Sequence, residues 1–487
     1  MAVRRMKHLS LEERRARGKA ARDRTPPSAH AGWRATGDRP DPVALLEEQN
    51  TTREPDLVPV RHGRMLVSPF TFYRGAAKIM AADLADTPTA GLQVQLCGDA
   101  HLSNFGGYAS PERTLLFDIN DFDETLPGPF EYDVKRLTAS FTIAARNNGF
   151  ATADARAVTM ASVAAYREAM ASFAGMGTLD IWYARLSEDE LLTAIRRETK
   201  AAKRAAKAKK ATKDAKEVVK DKGLGKRGRK AIQKAHTRDS LQALSKLGEL
   251  VEGRYRIVSM PPVVVPAREL GAYGLSARQV QQVITRQFRK YRQTLQGDRR
   301  QLLERFEVVD MAHKVVGVGS VGTRAFIVLL QGRDEGDPLF LQVKEATSSV
   351  LEDHLPKSRH RQPGERVVEG QRLMQAASDI FLGWSTGEQA NRYYYWRQLR
   401  DMKGSAEVDV LPPGPLGFYA GICGWTLARA HARSGDPAAI AAYLGTSDQF
   451  DQAITDFAGR YADQNEHDYQ GFADAVQTGR IAALEGV

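Results

Sequence analysis

An α+β fold in two parts, with a helical insertion between them, follows from three features of the 487-residue chain. Helix-period apolar patterns dominate from Tyr132 to about Met176, and again from Leu416 to the end. From about Phe306 the pattern switches to short alternating runs broken by Gly and Asp turns, "VVDMAHKVVGVGSVGTRAFIVLLQGRDEGDPLFLQVKEA", which predicts antiparallel strands. Between these regions, Arg196–Lys234 carries seventeen Lys or Arg against four acids, a local net of +13. The whole chain is +11, so the remainder is close to −2 and the basic character belongs to one segment.

In chain order, residues 1 to about 55 are polar, basic and Pro-containing, and read as a flexible arm. Ser68 and Pro69 start a helix predicted to run to about Ala85. "GLQVQLCGD" is a strand entering a loop, and "RTLLFDIN" is a second short strand. A further helix is expected from about Glu188, leading into the Ala/Lys-rich run, which has little apolar stripe and is expected to project into solvent. "YRIVSMPPVVVP" is extended, and "SARQVQQVITRQFRKYRQTL" is helical. "GERVVEGQRLMQAASDIFLGW" is a helix leading to a strand, and "RYYYWRQLRDMKG" is a strand.

Composition sets bounds on function. Apolar content of 42% and charged content of 26% are those of a globular protein. No eighteen-residue apolar run predicts a membrane span. The charged N-terminus does not read as a secretory signal, so a cytoplasmic location is expected. Cys97 and Cys423 have neither disulfide-framework nor zinc-ligand spacing.

Chemistry concentrates in "QLCGDAHLSNFGG" and "FDINDFDE", which crowd Asp99, His101, Asn104, Asp118, Asp121 and Asp123 beside apolar strands. Buried carboxylates are costly unless neutralised, and a metal or a metal-held phosphate would do so. Asp99 can orient or deprotonate an acceptor hydroxyl, while Asn104 and a carboxylate of "NDFDE" can share one Mg²⁺, a set suited to phosphoryl transfer. A phosphate cradle is expected much later, at "GVGSVG", where Gly317, Gly319 and Gly322 flank Ser320 in a strand-turn-strand setting. The next strand carries Lys344 among apolar neighbours, and the following helix offers Glu365 and Glu369. A Gly-rich hairpin, a strand lysine and a helix glutamate are the parts of a kinase nucleotide lobe. Arg61, Arg64 and Arg74 lie just upstream of the acidic site and are read as salt-bridge formers or phosphate ligands.

"GDAHLSN…NDFDE…GPFEYDVKRL" resembles the catalytic segment of the aminoglycoside phosphotransferases and related kinase-like enzymes. The resemblance implies Asp99 as the catalytic aspartate with His101 beside it. It also implies Asn104 and Asp121 as metal ligands, with Asp118 the alternative to Asp121 and Asp123 assisting. "GWTLARAHA" resembles the helix that precedes the catalytic loop in those enzymes. More closely, "LVPVRHGRMLVSPFTFYRGAA", "GDAHLSNFG", "ERVVEGQRLMQAASDIFLGW" and "LARAHARSGD" resemble the bacterial domain-of-unknown-function family 2252. A kinase has its Gly-rich loop first. Here the order is reversed, which implies a circularly permuted, protein-kinase-like two-lobe fold.

The expected organisation is a flexible arm over 1–55, the catalytic-loop part of a helical lobe over 56–190, and a basic helical insertion with connector over 191–300. A nucleotide-lobe-like sheet with a helix is expected over 301–410, and C-terminal helices of the helical lobe over 411–487. The expected activity is ATP- and Mg²⁺-dependent phosphoryl transfer to a hydroxyl-bearing acceptor that the sequence does not name. Lys344 would hold phosphate, Glu369 would pair with it, and Gly317–Gly322 would cover the phosphates. The rival readings are a metal-dependent phosphoesterase built on the Asp/His cluster, a nucleotide-binding or AMP-transferring relative, and a polyanion or nucleic-acid binder acting through residues 196–234.

Overall fold

The computed structural model describes residues 8–211, 224–251, 253–269, 277–315, 317–399 and 402–486. From the N-terminus, α1 (Leu11–Arg24), α2 (Pro42–Asn50), α3 (Val58–Met65), α4 (Pro69–Gly75) and α5 (Ala77–Ala85) lead to β1 (Gln93–Leu96) and β2 (Phe105–Ala109). Next come β3 (Leu115–Ile119), β4 (Leu126–Pro129), α6 (Phe130–Asn147), α7 (Thr152–Phe173), α8 (Thr178–Tyr183), β5 (Leu186–Ser187) and α9 (Glu188–Ala211). They are followed by α10 (Leu224–His236), α11 (Ser240–Leu247), β6 (Gly248–Val251), β7 (Arg254–Ile257), β8 (Val264–Pro266), α12 (Ala277–Arg292) and α13 (Gly297–Leu303). The larger sheet elements are β9 (Glu307–Lys314), β10 (Ala325–Gln331), β11 (Pro338–Glu345), α14 (Pro363–Met374), β12 (Gly383–Thr386) and β13 (Tyr393–Gln398). The chain closes with α15 (Pro413–Ser434), α16 (Pro437–Leu444) and α17 (Gln449–Gln477). This is an α+β architecture, as expected.

One half is helical. α6, α7, α15 and α17 pack through Phe130, Phe141, Tyr166, Leu427 and Phe457, all within one continuous core. Burial on this scale, at about 25 cal/mol per Å² of apolar area, is the main stabilising term. The other half is a six-stranded antiparallel sheet in the order β12-β13-β11-β10-β9-β8. Strand alternation sorts its two faces. Leu339, Leu341 and Val343 of β11 join Trp396 of β13 against α12, where Tyr291 stacks on Trp396 at 4.5 Å. The intervening residues, Gln342 and Lys344, pair in register with Arg397 and Tyr395 and face the helical half. Every residue of β11 is buried, so this polar row lies inside the protein.

Three expectations are corrected. The helix from Ser68 breaks at Ala76, and Arg61 donates to the Gly75 carbonyl at that break. Residues 8–55 are not a flexible arm. Ser10 and Glu13 form a capping box on α1, and Arg22 donates to the Leu444 carbonyl. Arg39 clamps Asp83 and Asp468 together, at 2.6 Å from each. Leu444 and Asp468 lie more than 400 positions from the arginines they anchor, which is why local polarity misreads the segment. Residues 1–7 of that arm lie outside the described residues. Finally, the basic run does not simply project. Ile232 and Ala235 of α10 are buried against Leu115 of β3, so α10 covers the β2–β3 hairpin with one apolar edge. Residues 212–223 of the run lie outside the described residues.

Candidate active site

The loop after β1 is held by buried charge. Asp133, in the first turn of α6, accepts from the backbone N–H of Cys97 at 2.6 Å and of Gly98 at 2.9 Å. His431 of α15 donates from Nε2 to the same carboxylate at 3.1 Å, and its Nδ1 pairs with the Tyr166 hydroxyl at 2.9 Å. Gly98 has φ +82°, and a Cβ there would meet the Glu124 carbonyl oxygen at 2.4 Å, so both conformation and close approach require glycine.

This scaffold presents Asp99. Arg136 donates to Asp99 Oδ1 from Nη2 at 2.6 Å and from Nε at 2.9 Å, and its guanidinium lies 4.0 Å over the Tyr73 ring. Asp99 Oδ2 lies 3.6 Å from His101 Nε2. Burial, reinforced by Arg74 and Arg136, outweighs Asp99 and pushes the His101 imidazole down to about 4, so it is neutral at pH 7. His101 is therefore a buried neighbour of Asp99 rather than a charged partner. Asn104 donates from Nδ2 to the Asp99 carbonyl, and its own carbonyl accepts from Asn120 N–H. The two acidic segments are thereby stitched together.

The carboxylates after β3 then diverge. Asp118 is almost fully buried and turned into the core. Arg429 bonds its Oδ1, the Ile119 N–H also reaches Oδ1, and the Ala376 N–H reaches Oδ2 at 2.7 Å. Asp118 is thus held within the core at 1% exposure, whereas Asp121 keeps 29%. Asp121 faces the sheet. Lys344 Nζ reaches both of its oxygens at 2.9 Å, and Arg397 Nη2 approaches to 3.2 Å. Burial pushes the Asp121 carboxyl up, but Arg397, Lys344 and Lys403 more than offset this and hold it well below the usual carboxylate range. Burial raises Asp123 despite Lys344, and burial beside Asp123 brings Glu124 up to about 7.

The sheet half meets this acidic segment along its whole length. From α14, Gln371 donates to the Phe122 carbonyl and Arg366 to that of Thr125, and Gln375, which caps the C-terminus of α14, donates to that of Ile119. Glu369 does not pair with Lys344. It points outward on α14 and binds Arg372 at 2.8 Å, one helical turn on. Lys344 instead takes Asp121, which the acidic segment presents directly beneath β11. Glu365 lies near His360.

The Gly-rich turn connects β9 and β10, with Gly317 at φ +67° and Gly322 at φ +85°, in the region that favours glycine. It is fastened to the helical half. Arg64 donates to the Gly317 carbonyl at 2.6 Å, Glu54 N–H to that of Gly322 at 2.8 Å, and Val321 is buried with Val60. Gly319 abuts the Arg74 carbonyl, and Gly322 abuts Arg53. Arg61 binds the side-chain oxygens of Asn50 and Gln49, so it braces the helices rather than the acids.

Gly317, Ser320, Lys344 and Asp121 line one cavity of about 430 Å³. Asp99, His101, Asn104, Gly319, Gly322 and Glu369 are not among its lining residues. Four further cations line it: Arg238, Lys246, Arg397 and Lys403. Lys403 opens on the cavity yet is ringed by protein. Burial and the neighbouring Arg397 lower its ammonium to about 7. None of these four, nor Arg136, was singled out from the sequence. Arg397 had a usable signal, because Tyr393, Tyr395 and Arg397 alternate on one face of β13. Arg238 and Lys403 sit between elements, where no periodicity marks a side chain.

A basic cavity with a carboxylate on its lining can hold a polyanion together with a cation. The acidic cluster is not a metal cage by itself. Asp99, Asp118 and Asp121 each have their own cation, and no three His, Cys, Asp or Glu side chains converge to hold a metal among the described residues.

The chain belongs to the family described as "uncharacterized protein conserved in bacteria (DUF2252)", whose profile matches residues 53–475. No curated protein and no solved structure matches it. No helix of the described residues is long and apolar enough to cross a membrane.

Proposed function

We propose that the protein is an ATP- and Mg²⁺-dependent phosphotransferase, of kinase-like two-lobe build with its parts circularly permuted. The observation that carries this reading is the Lys344–Asp121 pair, which joins a strand lysine to the acidic loop across 223 residues. Both residues open on the cavity that also receives the Gly-rich turn. The parts follow the order of a nucleotide lobe, namely Gly-rich turn, strand lysine and helix. Permutation is supported at the other end of the site. The helix "GWTLARAHA" ends beside β1, where Gln95 N–H donates to Ser434 Oγ across 339 residues.

In this reading Lys344, Lys403, Arg397 and the backbone at Gly317 and Ser320 bind the phosphates. Asp121 lines the cavity and Asn104 lies on the adjoining loop, and these two would hold a cation arriving with the nucleotide once Lys344, which now takes both Asp121 oxygens, turns to the phosphates. When bound, the ion neutralises charge on the transferred phosphoryl group. Arg136 occupies Asp99 Oδ1 and fixes the carboxylate, leaving Oδ2 as the atom offered to an acceptor hydroxyl. General-base assistance of this kind contributes about 10²- to 10⁴-fold.

Calorimetric titration with ATP, with and without Mg²⁺, tests the proposal on the wild type and on Lys344→Ala. The expected result is Mg²⁺-dependent binding weakened at least about tenfold by the substitution, equivalent to about 1.4 kcal/mol. Wild type that binds no ATP overturns it. If ATP binds, γ- and α-labelled nucleotide then separate phosphoryl from AMP transfer.

A further inference from the structure

We propose that a second cavity, beneath the basic helices, is a binding site for a single-chain amphipathic anion such as a fatty carboxylate. The cavity is about 440 Å³ and lies between the β2–β3 hairpin, α9, α10 and α15. Its size falls within the range of small-molecule sites. Leu115, Phe117, Ile195, Phe418, Tyr419 and Ile422 form its walls. Phe418 and Ile422 are only half-buried on a helix whose other faces belong to the main core, and Val410, on the lining, is 62% exposed. Apolar surface facing a wetted concavity is unfavourable, and a hydrocarbon chain would remove it from water.

The charges on the lining identify the head group. Arg227, Lys230, Lys234 and Arg238 all line the cavity, against two acids, Glu188 and Glu407. Both acids already have cationic or imidazole partners. Glu407 pairs with Lys234 at 2.8 Å, and Glu188 bonds His236 at 2.7 Å. Arg227, Lys230 and Arg238 are left as an excess of positive charge beside an apolar chamber, complementary to an anionic head on an apolar tail.

This site is separate from the basic cavity. A strap at Gly404 divides them by bonding Gly107 in both directions, at 2.7 and 2.8 Å. Arg238 touches both cavities and donates to the Lys403 carbonyl at 2.7 Å. The apolar cavity also contacts the candidate catalytic loop. The ring of Tyr419 lines it, while the Tyr419 hydroxyl donates to the carbonyls of Leu102 and Phe105, on either side of Asn104. An occupant would therefore contact the residue that braces this turn. The proposal concerns binding and holds whether or not the protein binds a nucleotide.

Calorimetric titration of the full chain with sodium dodecanoate, below its micellar concentration, tests it. One-to-one saturable binding is expected. Ile422→Trp fills the chamber from α15 and should weaken binding about tenfold or more. The double change Arg227→Glu with Lys230→Glu alters two exposed side chains. It should weaken dodecanoate about fivefold while leaving 1-decanol binding unchanged. Because those two positions are exposed, this variant keeps the test decisive even if the Trp substitution impairs folding. No saturable binding by wild type, or unchanged dodecanoate affinity in the double variant, overturns the proposal.

Discussion

Asp99 and Asp121 lie on adjoining loops and each is matched by a buried cation, but the cations come from different parts of the molecule. Arg136 is 37 residues from Asp99 and belongs to the same helical half. Lys344 is 223 residues from Asp121 and belongs to the sheet. The Asp99 loop is thus complete within one core, whereas the Asp121 segment is complete only when the two halves dock. Exposure follows the same division. The cations are both buried, at 2% for Arg136 and 5% for Lys344, while the Asp99 carboxylate is 16% exposed and Asp121 retains 29% where it opens on the cavity. The first pair is fixed within one half, and the second forms only where the two halves meet at the cavity.

The largest expected effects fall on the scaffold side. Arg136→Ala leaves Asp99 without its guanidinium and removes packing on Tyr73. Breaking a buried pair in this way costs about 3–5 kcal/mol, read as a lower urea midpoint. Lys344→Ala should cost less, about 1–3 kcal/mol, because Arg397 remains beside Asp121 and the carboxylate keeps 29% exposure on the cavity. Equal losses in the two variants would erase the distinction.

A second pair of variants divides the two aspartates of one strand end. Asp118→Ala, which deprives Arg429 of its partner, should destabilise by a similar 3–5 kcal/mol or so. Asp121→Ala should lower the urea midpoint by less, because the carboxylate keeps 29% exposure on the cavity, and should remove the Mg²⁺ dependence of ATP binding. Retained Mg²⁺ dependence in the Asp121 variant would move the metal role elsewhere.

A smaller effect follows from pH. The Lys403 ammonium titrates at about 7 in the folded protein, against about 10.4 for an ordinary lysine. Between those values the unfolded chain holds a proton that the folded chain does not, so this residue makes stability rise as pH rises from about 7 to about 10. A bound anion reverses the preference by drawing the proton back. Tripolyphosphate affinity should therefore fall as pH increases above about 7, approaching tenfold per unit for one linked proton. Lys403→Met should flatten both the affinity profile and the stability profile.

The smallest effect is expected at Glu369. Its pair with Arg372 is an exposed helical contact of about 0.5 kcal/mol or less. Glu369→Ala should leave both unfolding and ATP affinity near wild type. A tenfold loss of ATP affinity would show that α14 rearranges to bring Glu369 to Lys344.

Several parts of the site were legible in the residues. Lys344 stands out because a lysine among apolar strand neighbours must reach an anion, and it does. Glu369 misled because a helix glutamate after a strand lysine fits the kinase order, yet helix phase directs it outward while Gln371 and Gln375 take the inward contacts. The acidic burst was visible as a group, but Asp99, Asp118 and Asp121 each resolve to a different cation while Asp123 takes only the Tyr395 hydroxyl. The N-terminal region was misread because ionic clamps such as Arg39 between Asp83 and Asp468 leave no local periodicity.

Local pattern alone determined that this chain has a helical half and an antiparallel sheet, that carboxylates flank two short strands, and that glycine is needed at a turn between β9 and β10. Those properties depend on backbone conformation and on the burial of residues close in sequence. Only the tertiary structure decided which carboxylate is scaffold and which opens on a cavity, that the cavity is basic, and that a second, apolar chamber lies beneath the charged helices. Each depends on a buried charge or exposed apolar wall meeting a group from a distant part of the chain, and a low-dielectric interior makes that meeting decisive without leaving a trace in local sequence.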